Sequence, residues 1–258
     1  MIRIVDVWQH YGFRHVLRAI NLEIQPGESL CVMGPNGMGK STLLSVAAGL
    51  HTPARGHVEI AGRRRQASLD DERIIRRQVA YLSDSPWLPI NNTGTEFLYA
   101  VGRLYGVDDA RLAEHIDRLT ALFNLQEIIS SPIRSYSSGQ RKKLGLSAAL
   151  ATDAPVLILD EPFSGGLDSS ALLALHQVLR HLAQQGRTLL VAVPVPELVE
   201  GMATRIAIIQ DGQILACDTA AGLRSKSGVQ GSLGEVLEAM VNPQGTDHIR
   251  TYLEAEKR

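Results

Sequence analysis

The chain has 258 residues, 45% hydrophobic and 21% charged, with a formal net charge of −1. That length accommodates one large domain or one domain carrying an insertion, and a near-neutral charge gives no electrostatic footing for a partner that is nucleic acid or an anionic membrane. No apolar run reaches the roughly 18–20 residues of a membrane helix, and the start, MIRIVDVWQHYG, lacks the charged-then-apolar pattern of a secretory signal.

The first β-type run, RIVDVW, leads into HYGFRHVL, which carries Tyr11 and Val16. A second strand, ESLCVM, is followed at residues 34–42 by GPNGMGKST, the pattern G-x-x-x-x-G-K-[ST]. Gly34, Pro35, Asn36, Gly37, Met38 and Gly39 form a loop whose glycines let backbone N–H groups close around phosphate oxygens. Lys40 adds charge for the β- and γ-phosphates, and Ser41, followed by Thr42, offers a hydroxyl to Mg²⁺. The helical pattern KSTLLSVAAG starts at that point and closes at Gly49, so a bound anion sits on a helix N-terminus. After the strands HVEIAG and QVAYL, the intervening GRRRQ run reads as a solvated turn. Cys31 and Cys217 lie far apart in apolar runs and read as small core residues of a reducing compartment.

Residues 84–151 show a loop and then helical periodicity, with no convincing strand; they read as a helical subdomain inserted into an α/β core. Within it, YSSGQRKKLGLSAAL begins a helix with small residues at Ser137, Ser138 and Gly139, followed by Gln140. That is a capped surface helix or a second anion site. Next, PVLILDEP is an apolar strand ending in two carboxylates, Asp160 to hold Mg²⁺ and Glu161 to polarise an attacking water. The runs VLILD and TLLVAV are apolar on both faces, as central strands are. Proline lacks an N–H, so the second run is expected to end at Val193, with Pro196 starting a helix that carries Glu197. Pro194 has no such explanation.

These elements predict an α/β fold: a P-loop NTPase core with a mostly parallel sheet and flanking helices, an N-terminal antiparallel β portion and an inserted helical subdomain. The expected units are a core of residues 1–83 and 152–220, the helical subdomain 84–151, and a C-terminal helical extension 221–258 that includes LGEVLEAM and IRTYLEAEKR.

The phosphate loop, YSSGQ and LDEP, in that order, resemble the nucleotide-binding subunit of an ATP-binding cassette (ABC) transporter over most of the chain. YSSGQ is similar to the family signature LSGGQ, with Tyr136 for Leu and Ser138 for the first Gly. The resemblance implies that ATP and Mg²⁺ are bound, that Tyr11 stacks on adenine beside Val16, and that Ser137, Ser138, Gly139 and Gln140 cover the γ-phosphate of a partner chain. It also implies that Asp168, in GGLDSS, crosses a dimer interface, although DEPFSGGLD is one residue longer than the common form. Asp84 stands where the family usually has Gln, and it could contact Mg²⁺ or a metal-bound water. Pro194 stands where the family has its switch histidine, which implies slow hydrolysis. The implied partners are a second nucleotide-binding subunit and an integral membrane permease, with the chain peripheral on the cytoplasmic face. Export is the closer analogy. The loop from Asp84 to Pro89 is the implied permease contact, with Trp87 either an exposed anchor or internally packed.

Overall fold

The protein is described from a computed structural model covering residues 1–242; the IRTYLEAEKR segment lies outside the described residues. The chain opens with a hairpin of β1 (Ile2–Tyr11) and β2 (Arg14–Ile24), then β3 (Ser29–Met33). After the glycine-rich loop come α1 (Lys40–Ala48), β4 (Arg55–Ile60), β5 (Arg63–Arg64), α2 (Leu69–Gln78) and β6 (Val79–Leu82). Between β6 and the next strand the chain forms α3 (Gly94–Leu104), α4 (Asp109–Leu122), a 3-10 turn (Ile133–Ser135) and α5 (Ser138–Ala151). Then follow β7 (Val156–Asp160), α6 (Ser169–Gln184), β8 (Thr188–Ala192) and a 3-10 turn (Pro196–Leu198). The described chain ends with β9 (Arg205–Gln210), β10 (Gln213–Asp218), α7 (Ala220–Ser227) and α8 (Leu233–Val241).

Two sheets form. One is antiparallel, in the order β2-β1-β4-β5; the other has the order β10-β9-β3-β8-β7-β6. In the second, β9, β3, β8, β7 and β6 are mutually parallel and β10 is an antiparallel edge. Every residue of β3, β7 and β8 is buried, because both faces of the sheet are covered. The covering differs by face, and the strand period of two sorts the side chains. Val156 and Ile158 join Ile2, Leu43 and Leu44 in the core beneath the antiparallel sheet and α1, whereas Leu157 and Leu159 join Leu146, Leu175 and Phe123 among the other helices. Asp160 is level with Ala192, and Ala192 with Val32. The loops leaving β3, β7 and β8 therefore gather at one carboxyl edge, where open α/β sheets bind ligands.

The observed fold is the α/β architecture expected from the sequence, with three local corrections. β8 ends at Ala192, one residue early, although the Val193 N–H still donates to Val32 O at 3.1 Å. Pro196 starts only a three-residue 3-10 turn, because the chain must return to β9 within a few residues. The GRRRQ run is solvated only in part. Arg63 and Arg64 are exposed, but the Arg65 side chain is 4% exposed, donating to Ala47 O at the end of α1 and to Glu72 of α2. Cys31 is a buried core residue; Cys217 is half-buried and accepts a hydrogen bond from Arg205.

Candidate nucleotide site

The loop between β3 and α1 is shaped by its glycines. Gly34 has φ +147°, and a Cβ there would lie 2.1 Å from Ile209 O of the adjacent strand, so only glycine fits. Gly39 caps α1 in the left-handed region at φ +103°. Lys40 opens the helix and is 5% exposed. Its Nζ folds back over the loop and donates to Gly34 O at 2.8 Å, Pro35 O at 3.1 Å and Asn36 Oδ1 at 3.4 Å. Burial lowers the Lys40 pKa, and the charges of Glu161 and Asp160 oppose that shift.

The opposite wall comes from the end of β7. Ser41 Oγ donates to Asp160 Oδ1 at 3.2 Å. Asp160 is 3% exposed, and burial raises its pKa while the Ser41 bond pulls it down. The chain then turns sharply. Glu161 takes φ +45°, its N–H donates to Ala192 O at 3.0 Å, and its carbonyl accepts from the Ser164 N–H at 3.1 Å. A left-handed non-glycine residue costs about 1–2 kcal/mol, and such strain collects at functional sites. The turn swings the Glu161 side chain onto the wall of a cavity of about 360 Å³ that Tyr11, Val16, Gly39, Lys40, Ser41 and Thr42 also line.

Asn36 and Gly37 complete that wall, and so does Arg14, which sequence reasoning missed. Its signal was available: a two-residue hairpin turn pairs Tyr11 with Arg14 across β1 and β2, so an aromatic and a cation share the cavity mouth. Tyr11 is 48% exposed and stands edge-on to His51, ring centroids 6.2 Å apart. Met38 lies on the outer side of the loop, its sulfur accepting from the Asp211 N–H.

Other residues singled out from the sequence lie elsewhere. Ser137 and Gln140 form a reciprocal capping box at the start of α5: Gln140 N–H donates to Ser137 Oγ at 3.2 Å and Ser137 N–H to Gln140 Oε1 at 2.8 Å. Gly139 is packed so closely that a Cβ would lie 2.5 Å from Gly166 O. Ser138 is exposed beside it. Asp168 caps α6 through the Ala171 N–H at 2.9 Å and pairs with Lys143, which holds its carboxyl well below the usual aspartate range. Asp84 is off the cavity wall; its Oδ1 accepts from Ser164 Oγ at 2.6 Å and lies 3.5 Å from Lys142 Nζ. Trp87 is 83% exposed, so it is not internally packed. Pro194 stands two residues past Ala192, at the same sheet edge as Glu161, with no donor to offer.

Among the described residues no three His, Cys, Asp or Glu side chains cluster to hold a metal alone. The Ser41 hydroxyl beside one Asp160 oxygen still fits Mg²⁺. That ion takes one or two protein oxygens and completes its shell with phosphates and water. No helix among the described residues is long and apolar enough to cross a membrane.

The profile of the family described as ABC transporter matches residues 17–164. The Nod factor export ATP-binding protein I of Cupriavidus metallidurans is 30% identical over 216 residues, covering 84% of this chain and 70% of that protein. A solved ATP-binding subunit of an ABC transporter superposes with a TM-score of 0.86 at 28% identity, over 93% of this chain and 99% of the other. A dimeric ATP-binding cassette in a post-hydrolysis state bound to ADP and Pi shares the fold, with a TM-score of 0.75 at 23% identity, over 85% and 98% of the two chains. A strained carboxylate facing a phosphate loop, in a chain so matched over more than half its length, has one family reading: this chain belongs to the ABC transporter family and is one of its ATP-binding, ATP-hydrolysing subunits.

Proposed function

We propose that the chain powers export through a separate membrane permease, working as one half of a cassette dimer at the cytoplasmic face of the membrane. The observation that carries the mechanism is the convergence of Lys40, Ser41 and Glu161 on one cavity, with Tyr11 at its mouth and Asp160 bonded to Ser41. Adenine stacks on Tyr11 against Val16. The loop N–H groups and the N-terminus of α1 receive the phosphates, and Lys40 exchanges its loop carbonyls for β- and γ-phosphate oxygens. Glu161 accepts a proton from the water whose oxygen attacks the γ-phosphorus, and ADP leaves. Ser41 and Asp160 would hold Mg²⁺, which when bound offsets the phosphate charge.

Ser137, Ser138, Gly139, Gln140 and Asp168 lie off this cavity and are assigned to the nucleotide held by a second subunit. Both side chains of the α5 capping box already serve their own helix, so what that end presents outward is its exposed Ser138 and free N–H groups. The likeness to a dimeric cassette supports this reading, and the export relative supports the direction. The same reading divides the chain into a core of residues 1–83 and 152–220, a helical subdomain 84–151 carrying Trp87 toward the permease, and an extension beyond 220.

Hydrolysis is slow in this reading, because Pro194 removes a donor that would meet charge developing on the γ-phosphate. One such donor is worth about 10²–10³-fold in rate. The test is phosphate release from MgATP by the purified chain, together with identification of the membrane protein that copurifies with it. Slow, Glu161-dependent release and a polytopic partner uphold the proposal. Tight ATP binding with release too slow to support transport overturns the powering role and favours a weakly hydrolysing ATP-dependent regulatory switch, the second reading that Pro194 supports.

A further inference from the structure

Asp84 lies off the cavity wall, but its carboxylate is bonded to Ser164, in the turn that carries a second carboxylate, Glu161, to the phosphate cavity. Like charges at such range disfavour one another, so the fold has to answer this one. It does so with Lys142, one turn into α5. The Lys142 side chain is 3% exposed; its Nζ donates to Asp84 O at 2.8 Å and lies 3.5 Å from Asp84 Oδ1. Its stem runs against Gly165, where a Cβ would sit 3.4 Å from both Cγ and Cδ. An ammonium at that depth is costly unless paired.

The second hand on Asp84 is Ser164. The Ser164 Oγ has two acceptors in reach of its one proton, Asp84 Oδ1 at 2.6 Å and Glu161 O at 2.8 Å, while the Ser164 N–H also holds Glu161 O at 3.1 Å. One residue thus joins the segment leading to α3 with the left-handed turn that aims Glu161.

We propose that Lys142 and Ser164 are positioning residues for ATP hydrolysis, clasping Asp84 so that its charge is cancelled and its segment is tied to the turn carrying Glu161. This rests on Glu161 being the base, as proposed above. The clasp lets an acid stand at position 84 beside the turn that carries Glu161.

The test is a charge-removal cycle on the full chain, read by MgATP hydrolysis and by thermal unfolding. Lys142→Met and Ser164→Ala each lower kcat by about tenfold, with the KM for ATP changed by less than about twofold. Lys142→Arg keeps most of the rate, and adding Asp84→Asn to Lys142→Met recovers most of the loss, because the charge left uncancelled is removed. Additive losses in the double variant, or a KM effect without a kcat effect, overturn the clasp. So does an activity loss that follows the unfolding midpoint across all variants. Ser164→Ala removes only a partly exposed hydroxyl and carries the kcat test if Lys142→Met does not fold. Glu161→Gln is assayed alongside. If it abolishes hydrolysis while the cycle is additive, the clasp alone fails; if hydrolysis persists in Glu161→Gln, the base assignment fails and the clasp with it.

Discussion

Ser41 Oγ reaches Asp160 Oδ1 across 3.2 Å, joining the first turn of α1 to the end of β7 over a separation of 119 residues. The bond relieves only part of the cost of burying the Asp160 carboxylate, whose pKa stays above the usual aspartate range because desolvation outweighs the hydrogen bond. A raised native pKa contributes stability that is complete below the unfolded value and is lost as pH rises through the native one. The nucleotide-free protein should therefore lose stability from this group as pH climbs out of the usual aspartate range. Asp160→Asn should flatten that part of the profile and raise the unfolding midpoint at neutral pH, while abolishing the extra stabilisation by MgATP. Thermal unfolding across pH, with and without MgATP, measures both; a less stable nucleotide-free variant would contradict the assignment.

Glu161 is held by main-chain bonds to Ala192 O and from the Ser164 N–H, so replacing its carboxyl should leave the turn intact. Glu161→Gln is expected to lower the hydrolysis rate by about 10²–10⁴-fold, the usual worth of a positioned base, with ATP affinity retained. Equilibrium nucleotide binding and single-turnover phosphate release separate the two effects.

Pro194 follows the strand that is level with Asp160, at the edge where a donor could face the γ-phosphate. Pro194→His should raise kcat by up to about 10²-fold, whereas Pro194→Ala, which restores no side-chain donor, should not. An unchanged rate in Pro194→His would show that this position does not limit hydrolysis.

Tyr11 lies half-exposed at the cavity mouth. Tyr11→Ala should weaken ATP binding by about 1–3 kcal/mol, the worth of stacking one base on an aromatic ring, and Tyr11→Trp should preserve it. Loss of affinity for ATP but not for inorganic triphosphate, read by calorimetry, would confirm that the contact is to the base.

Arg65 and Glu72 form a buried pair, with side chains 4% and 12% exposed, and Arg65 also holds Ala47 O at the end of α1. Removing one partner strands the other, so Arg65→Met should cost about 3–5 kcal/mol of stability. Denaturant unfolding checks this, and Arg65→Met combined with Glu72→Leu should recover part of the loss.

The phosphate loop and the two carboxylates of LDEP could be read along the chain because each is a local grammar of strand, turn and helix. Gly34, Lys40 and Ser41 are announced by the spacing of their own loop and the first turn of α1, although the close approach of Ile209 O to Gly34 and the Ser41–Asp160 bond are tertiary, and VLILD shows its burial on both faces in its own run. Arg65 looked like part of a solvated basic turn, since nothing adjacent to it announces the α1 carbonyl or the glutamate of α2 that draw it inward. Pro196 had the chemistry of a helix start, but the return to β9 leaves room for one short turn. Asp84 read as a bare departure from a family pattern. Its meaning lies in Lys142 and Ser164, 58 and 80 residues away, which only the packing of α5 and the β7 turn against one segment brings within hydrogen-bond reach. Local backbone chemistry is written in adjacent residues; charge compensation depends on which distant side chains share a low-dielectric space, and only the tertiary structure decides that.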